Sequence, residues 1–79
     1  MNTTNLVLYS TDHCTLCEQA LELLFSMPEL QGCSLRVIDV ATDPALTELY
    51  GERLPVLRSG DAELDWPFDA NTVRGVIGV

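Results

Sequence analysis

Apolar and polar residues follow each other along the chain in blocks whose periods are typical of alternating strands and helices. Short apolar runs predict four strands, at residues 5–10, 35–40, 55–58 and 62–66. Segments with an apolar residue every three or four positions predict three helices, at residues 15–27, at residues 44–50 and after Asp69. The pattern therefore predicts the element order β-α-β-α-β-β-α.

The first predicted helix has a broad apolar face, which we expect to pack on a sheet. That face comprises Leu16, Ala20, Leu23, Leu24 and Met27, with Leu21 and Phe25 at its margins. Asp12, Cys14 and Thr15 are alternative N-terminal caps, and Pro28 ends the helix near Met27. The second helix carries a shorter apolar stripe, formed by Ala45, Leu46, Leu49 and Tyr50.

The spacing of these elements predicts how the strands pair. The strand, helix and strand between residues 5 and 40 form a βαβ unit, whose strands run parallel with a right-handed crossover. Only the turn Ser59–Asp61 separates the last two strands, so we expect an antiparallel hairpin there. A chain of 79 residues has the length of one domain, which we place at residues 1–79.

Composition narrows the classes of function. Twelve acidic residues against four arginines and no lysine give a net charge of −8, which repels nucleic-acid backbones. The chain has no apolar run of about 18 residues and no start that resembles a signal peptide. We therefore expect a cytoplasmic protein that binds neither nucleic acid nor membrane. We also expect a monomer, although neither charge nor hydropathy determines the oligomeric state. The acidic surface serves solubility or attracts a basic protein partner.

The strongest chemical signal is the motif Cys14-Thr15-Leu16-Cys17, at the junction of the first strand and the first helix. One thiolate attacks a disulfide, and a second thiol close by resolves the mixed disulfide that forms. We expect Cys14 to be the nucleophile, because the helix N-terminus lowers its pKa, and Cys17 to resolve. His13 either adds a positive charge beside Cys14 when it is protonated or is simply an exposed loop residue. Asp12 and Glu18 act against activation, because acidic groups beside a thiolate raise its pKa.

Three segments together resemble a known family. These are Leu8-Tyr9-Ser10 leading into the Cys14–Cys17 motif, Leu54-Pro55-Val56-Leu57, and Trp66-Pro67-Phe68-Asp69. With the element order, they resemble the thioredoxin fold and, more specifically, an uncharacterised bacterial branch of small glutaredoxin-like proteins. The resemblance implies an α/β three-layer sandwich, with a four-stranded mixed sheet and helices on both faces. It also implies a thiol–disulfide oxidoreductase.

The same resemblance implies how a substrate binds. It predicts that Pro55 is cis and faces the nucleophile, with the backbone of Leu54 docking the substrate; the alternative is a trans proline that begins an edge strand. Glutaredoxins that use glutathione typically carry a lysine before the motif, a threonine near the proline and a glycine pair before the last helix. This chain has no lysine. Arg53-Leu54-Pro55 replaces the segment with the threonine, and Trp66-Pro67 lies near the position of the glycine pair. We expect Arg53 to contact an anion and Asp69 to contact an amino group.

Several alternatives stay open from the sequence. The substrate is a protein disulfide or a glutathione mixed disulfide, no cofactor is bound, and glutathione is a candidate reductant. Trp66 and Tyr9 form an aromatic platform beside the site or pack as core and rim. Asp39 assists proton transfer near Cys17 or is a solvated strand end.

Two other classes of function compete with redox chemistry. One is a zinc site built from His13, Cys14, Cys17 and Cys33, although adjacent ligands strain to reach one ion and no second CxxC is present. In the redox interpretation, Cys33 is an inert thiol. The other class is a binding or adaptor module that keeps the fold without turnover.

Overall fold

The computed structural model describes residues 5–78 and confirms the α/β architecture, with one four-stranded mixed sheet and three α-helices. The strands are β1 (Asn5–Ser10), β2 (Ser34–Asp39), β3 (Val56–Ser59) and β4 (Ala62–Asp65). The α-helices are α1 (Thr15–Phe25), α2 (Pro44–Tyr50) and α3 (Ala70–Ile77). Short 3₁₀ turns at Pro28–Leu30 and Val40–Thr42 flank β2. The element order is the predicted one.

The strand order β2-β1-β3-β4 gathers several loops at one edge of the sheet. β1 and β2 are parallel, while β3 is antiparallel to both of its neighbours, β1 and β4. Tyr9 near the end of β1 pairs with Val56 at the start of β3, and Val56 pairs with Asp65 at the end of β4. The segments that follow β1 and β4 therefore lie at the same edge as the segment that precedes β3. These segments contain the cysteine motif, Trp66 and Pro55.

Two apolar clusters cover the two faces of the sheet. The larger one packs α1 and α3 against β1 and β3, and its buried members are Leu6, Leu8, Ala20, Leu24, Met27, Leu57, Phe68 and Val73. The smaller one packs α2 against the other face, and its buried members are Tyr9, Val40, Tyr50 and Val56. This arrangement confirms the predicted helices on both faces.

The apolar faces of α1 and α2 are narrower than the sequence predicts. Cys17, Ala20 and Leu24 are the buried residues of α1, whereas 46% of Leu16 and 77% of Phe25 are exposed. The buried residues are spaced i, i+3 and i+7, so Leu16 and Phe25 fall on opposite flanks of that stripe. The predictions that both side chains pack inward are wrong. In α2, Ala45 and Leu49 are also exposed, because the helix buries Tyr50 and only part of Leu46.

Helix α1 ends two residues earlier than predicted. Met27 has an extended backbone, with φ −95° and ψ 110°, because the proline that follows disfavours the helical conformation. Its side chain still reaches the larger cluster and is buried. The longest helix within residues 5–78 has 11 residues, and none there is both long and apolar enough to span a bilayer.

Candidate redox site

The cysteine motif lies where β1 passes into α1, and Cys14 is the cap that begins the helix. Cys14 has an extended backbone, and its Sγ accepts a hydrogen bond from the N–H of Cys17 at 3.2 Å. Of the three candidate caps, the structure therefore selects Cys14. His13, just before it, is exposed and has a φ of +56°, in the left-handed region. This conformation turns the chain from the strand into the helix.

Cys14 and Cys17 form a disulfide, with their Cα atoms 5.2 Å apart. Cys17 is only 2% exposed, whereas Cys14 is half-buried. The more exposed residue of the pair is therefore the one that the sequence predicts as the nucleophile. The buried residue is the predicted resolving cysteine.

The proline segment lies beside the segment that follows β4. As the resemblance predicts, the Leu54–Pro55 peptide bond is cis, and so is the Trp66–Pro67 bond. The N–H of Trp66 donates to the Pro55 carbonyl at 3.2 Å, which joins the two segments. Pro55 is buried, and half-buried Leu54 packs on the smaller cluster. That the backbone of Leu54 docks a substrate stays a prediction.

Packing accounts for the aromatic residues near this edge. Trp66 is half-buried and meets Phe68 edge to face, with ring centroids 5.0 Å apart. Tyr9 is buried on the other face of the sheet and stacks on Tyr50 at a centroid distance of 4.1 Å. The alternative of core and rim packing therefore holds for Tyr9. Trp66 keeps an accessible part at the edge where the motif lies.

Asp69 caps helix α3, as the sequence predicts. Its carboxylate accepts from the N–H of Thr72 at 2.9 Å and from its hydroxyl at 2.7 Å, and the Thr72 hydroxyl oxygen accepts from the N–H of Asp69. These hydrogen bonds from Thr72 lower the pKa of Asp69. The predicted contact with an amino group would have to add to, or compete with, this cap.

Arg53 is held by two carboxylates of β4. Its Nη2 donates to Oε1 of Glu63 at 3.1 Å and to Oδ1 of Asp65 at 2.8 Å. Its Cζ lies 5.4 Å from the ring centroid of Tyr50, whose hydroxyl donates to Oε2 of Glu63 at 2.6 Å. We call these four residues the arginine clamp. The contact between Arg53 and a substrate anion stays a prediction, and any such anion meets an arginine that already has partners.

The pKa values of three residues in the arginine clamp are shifted by these same contacts. The hydrogen bonds that Arg53 donates to Asp65 and Glu63 raise the pKa of Arg53. The hydrogen bond to Glu63, together with burial, raises the pKa of Tyr50 to about 12. Hydrogen bonds from Tyr50 and then Arg53 lower the pKa of Glu63. Sequence reasoning missed Glu63 and Asp65, although their spacing of two residues on a predicted strand puts both on one face of the sheet.

Two remaining candidate residues, Asp39 and Cys33, have structural contacts of their own. Asp39 ends β2 and caps the 3₁₀ turn after it, accepting from the N–H of Ala41 at 2.9 Å. Cys33 is a half-buried free thiol that packs against the larger cluster. Between residues 5 and 78, no three histidine, cysteine or acidic side chains come together as metal ligands.

Comparison with known proteins agrees with the site and the fold. Residues 5–78 match the sequence model of the Glutaredoxin-like domain (DUF836) family. The X-ray structure of target protein XcR50 from X. campestris is 40% identical over 92% of this chain and 95% of that one, with a TM-score of 0.77. The solution structure of protein Ne2328 from Nitrosomonas europaea is 32% identical over 99% and 91%, with a TM-score of 0.76.

A more distant structure shows the fold alone. A malarial protein is 17% identical over 98% of this chain and 96% of that one, with a TM-score of 0.60. No curated protein matches the chain. The family match spans the cysteine motif, the cis proline and the capped last helix. The chain belongs to the glutaredoxin-like domain family, has a thioredoxin-like fold, and carries a CxxC pair suited to a thiol–disulfide role.

Proposed function

We propose that the protein is a thiol–disulfide oxidoreductase in which Cys14 attacks and Cys17 resolves. The observation that carries the proposal is the Cys14–Cys17 disulfide at the start of α1, with Cys14 accessible and Cys17 buried. The substrate is a protein disulfide or a glutathione mixed disulfide. We propose that the protein acts as a cytoplasmic monomer without a bound cofactor.

The reaction follows from the two sulfurs. The Cys14 thiolate attacks one sulfur of the substrate disulfide, a Cys14–substrate disulfide forms, and the other substrate sulfur leaves as a thiolate that takes up a proton. Cys17 then loses its proton and attacks the Cys14 sulfur, which releases the second substrate thiolate. The substrate gains two electrons and the protein ends with the Cys14–Cys17 disulfide. An external thiol or dithiol, such as glutathione, returns it to the reduced state.

Local structure supports the role of Cys14. The N–H of Cys17 points at its Sγ, and the N-terminus of an α-helix favours negative charge. Both contributions favour a thiolate over a thiol at this position in the reduced protein. His13 beside it adds charge when protonated, whereas Asp12 and Glu18 act in the opposite direction.

Equilibration with a glutathione couple tests the proposal. A Cys33→Ser background leaves only the motif cysteines, so every thiol counted belongs to the pair. We expect the pair to pass between dithiol and disulfide as the couple is varied, with no lasting intermediate, when counted by alkylation and intact mass. We also expect iodoacetamide to modify reduced Cys14 faster than an unstructured cysteine at about pH 6, because thiolate is the reacting species.

The same measurements separate the adaptor alternative. An adaptor that keeps the fold without turnover needs neither property. If the pair stays in one state across the whole range of couples, and Cys14 reacts no faster than a free cysteine, the oxidoreductase proposal is wrong.

A further inference from the structure

The arginine clamp joins β4 and the end of α2 to the segment of the redox site that precedes β3. Arg53 lies two residues before cis Pro55, and Asp65 directly precedes Trp66. The hydrogen bond from Trp66 to the Pro55 carbonyl connects the segment after β4 to the segment before β3. Because Arg53 lies so close to the cis proline in sequence, it is the predicted contact for a carboxylate of a bound substrate. Its charge, however, is already neutralised by two carboxylates of this chain.

We propose that Glu63 and Asp65 determine the substrate specificity of the redox site by holding Arg53. Held in this way, Arg53 offers no anchor to anionic thiols such as glutathione, and the site accepts disulfides in protein segments with neutral or basic neighbours. The inference rests on the proposed function and names its substrate class.

The geometry of the clamp explains why an external carboxylate competes poorly. Both carboxylates belong to the same chain as Arg53, so their effective concentration is at least millimolar and a dissolved anion has to displace them. Tyr50 restrains the clamp further, because its hydroxyl binds Glu63 and its ring lies beneath the guanidinium. With two acids on one arginine, the clamp carries a net charge of about −1.

The acidic residues around the cysteine motif also disfavour an anionic substrate. Asp12 and Glu18 flank Cys14 in sequence, both are exposed, and the chain has no lysine. Glutathione brings two carboxylates to this edge, and like charges repel it. A basic or neutral polypeptide avoids that repulsion, and its approach is favoured at low salt.

Binding of S-methylglutathione tests the inference without any thiol exchange. We would titrate the oxidised full-length protein with this unreactive analogue and follow the amide chemical shifts. For the wild type we expect no saturation up to about 10 mM, the concentration range in which clamp and ligand compete. The variant E63Q/D65N frees Arg53 and should bind at least tenfold more tightly.

Three further variants identify the cause of any gain in affinity for S-methylglutathione. Adding R53Q to E63Q/D65N should abolish the gain, because the freed guanidinium supplies it. The variant E48Q/D61N removes the same two charges at exposed residues outside the clamp and should bind within threefold of the wild type. The single variant R53Q keeps both carboxylates in place and should bind within twofold of the wild type.

Other results overturn the inference. Tight binding by the wild type that R53Q weakens would mean that Arg53 is free to receive the anion. An unchanged affinity in folded E63Q/D65N, or a gain that survives R53Q, would mean that the clamp does not set specificity. If the double variant does not fold, the single variant R53Q still shows whether Arg53 is held by the clamp or is free to bind the anion.

A kinetic comparison tests the preferred substrate class. Two peptide disulfides of equal length, one with lysines and one with glutamates beside the cystine, serve as substrates for the reduced protein. We expect the wild type to react at least tenfold faster with the lysine peptide at low salt, and E63Q/D65N to narrow that ratio. Equal rates for the wild type would overturn the inference, whereas no reaction with either peptide would instead contradict the proposed function.

Discussion

Cys14 is a structural cap and, in the proposed function, also the reacting group. Its sulfur accepts the N–H of Cys17, which would otherwise be one of the unpaired donors in the first turn of α1. A thiolate is a stronger acceptor than a disulfide sulfur, so this contact strengthens when the pair is reduced. In the proposed function, the attacking residue thus lies where a backbone N–H favours a thiolate.

Substitution of Cys14 separates the two contributions. In the reduced protein, Cys14→Ser keeps a good N-terminal cap and should unfold at nearly the wild-type urea midpoint. Cys14→Ala removes the cap and should lower the free energy of unfolding by about 1 kcal/mol. Urea denaturation in the presence of a reductant measures both variants. Equal stability of the serine and alanine variants would show that the sulfur does not cap the helix.

The left-handed backbone conformation of His13 restricts which residues can occupy this position. Its φ of +56° is tolerated by histidine and asparagine but is costly for β-branched residues. We therefore expect His13→Asn to keep the stability of the wild type and His13→Val to lose about 1–2 kcal/mol, measured by urea denaturation. A valine variant as stable as the asparagine variant would contradict the left-handed conformation.

Helix α1 shows how far an apolar pattern determines an element. The pattern predicts the helix and its contact with the sheet, but seven apolar side chains cover too wide an arc to identify the buried stripe. Tertiary packing decides it: Cys17 takes an inward position, and Phe25, next to buried Leu24, points outward. The cap was one of three candidates, because sequence alone does not give the backbone angles before Thr15.

Adjacent residues of α1 test this orientation. Leu24 is 2% exposed and Phe25 is 77% exposed. Leu24→Ala should cost about 2–5 kcal/mol, because it leaves a cavity, whereas Phe25→Ala should change stability by less than about 0.5 kcal/mol. Thermal or urea unfolding of the two variants measures the difference. Similar losses for both would mean that the helix is rotated from the position described.

The cap of α3 gives a pH-dependent prediction. Hydrogen bonds from Thr72 lower the pKa of Asp69 below its ordinary value of 3.8, so the ionised cap stabilises the fold above that pH. The contribution is lost as the pH falls through the lowered pKa. Asp69→Ala should therefore have a lower urea midpoint than the wild type at about pH 7, and the gap should narrow at about pH 2.5.

Asparagine is the matched control for this cap. Asp69→Asn keeps a capping side chain that does not titrate. The difference in urea midpoint between Asp69→Asn and Asp69→Ala should therefore be the same at both pH values. A gap between wild type and Asp69→Ala that does not change with pH would contradict an ionised cap.

The fold of the whole molecule brings together segments that are far apart in sequence. The strand order β2-β1-β3-β4 places the cysteine motif, Pro55 and Trp66 at one edge. Element order, the CxxC motif and the proline were predictable, because each leaves a local signal. The arginine clamp was not, because it joins α2, the segment before β3 and β4 through side chains whose contacts depend on the assembled sheet.

Trapping of a mixed disulfide tests the central claim, that Cys14 attacks and Cys17 resolves. Reduced Cys17→Ser and Cys14→Ser proteins, both with Cys33→Ser, would be mixed with a lysine-rich peptide disulfide and analysed by intact mass. The Cys17→Ser protein should gain the mass of one peptide half on Cys14. The Cys14→Ser protein should stay unmodified, because Cys17 is only 2% exposed. An unmodified Cys17→Ser protein, or equal modification of both, would contradict the claim.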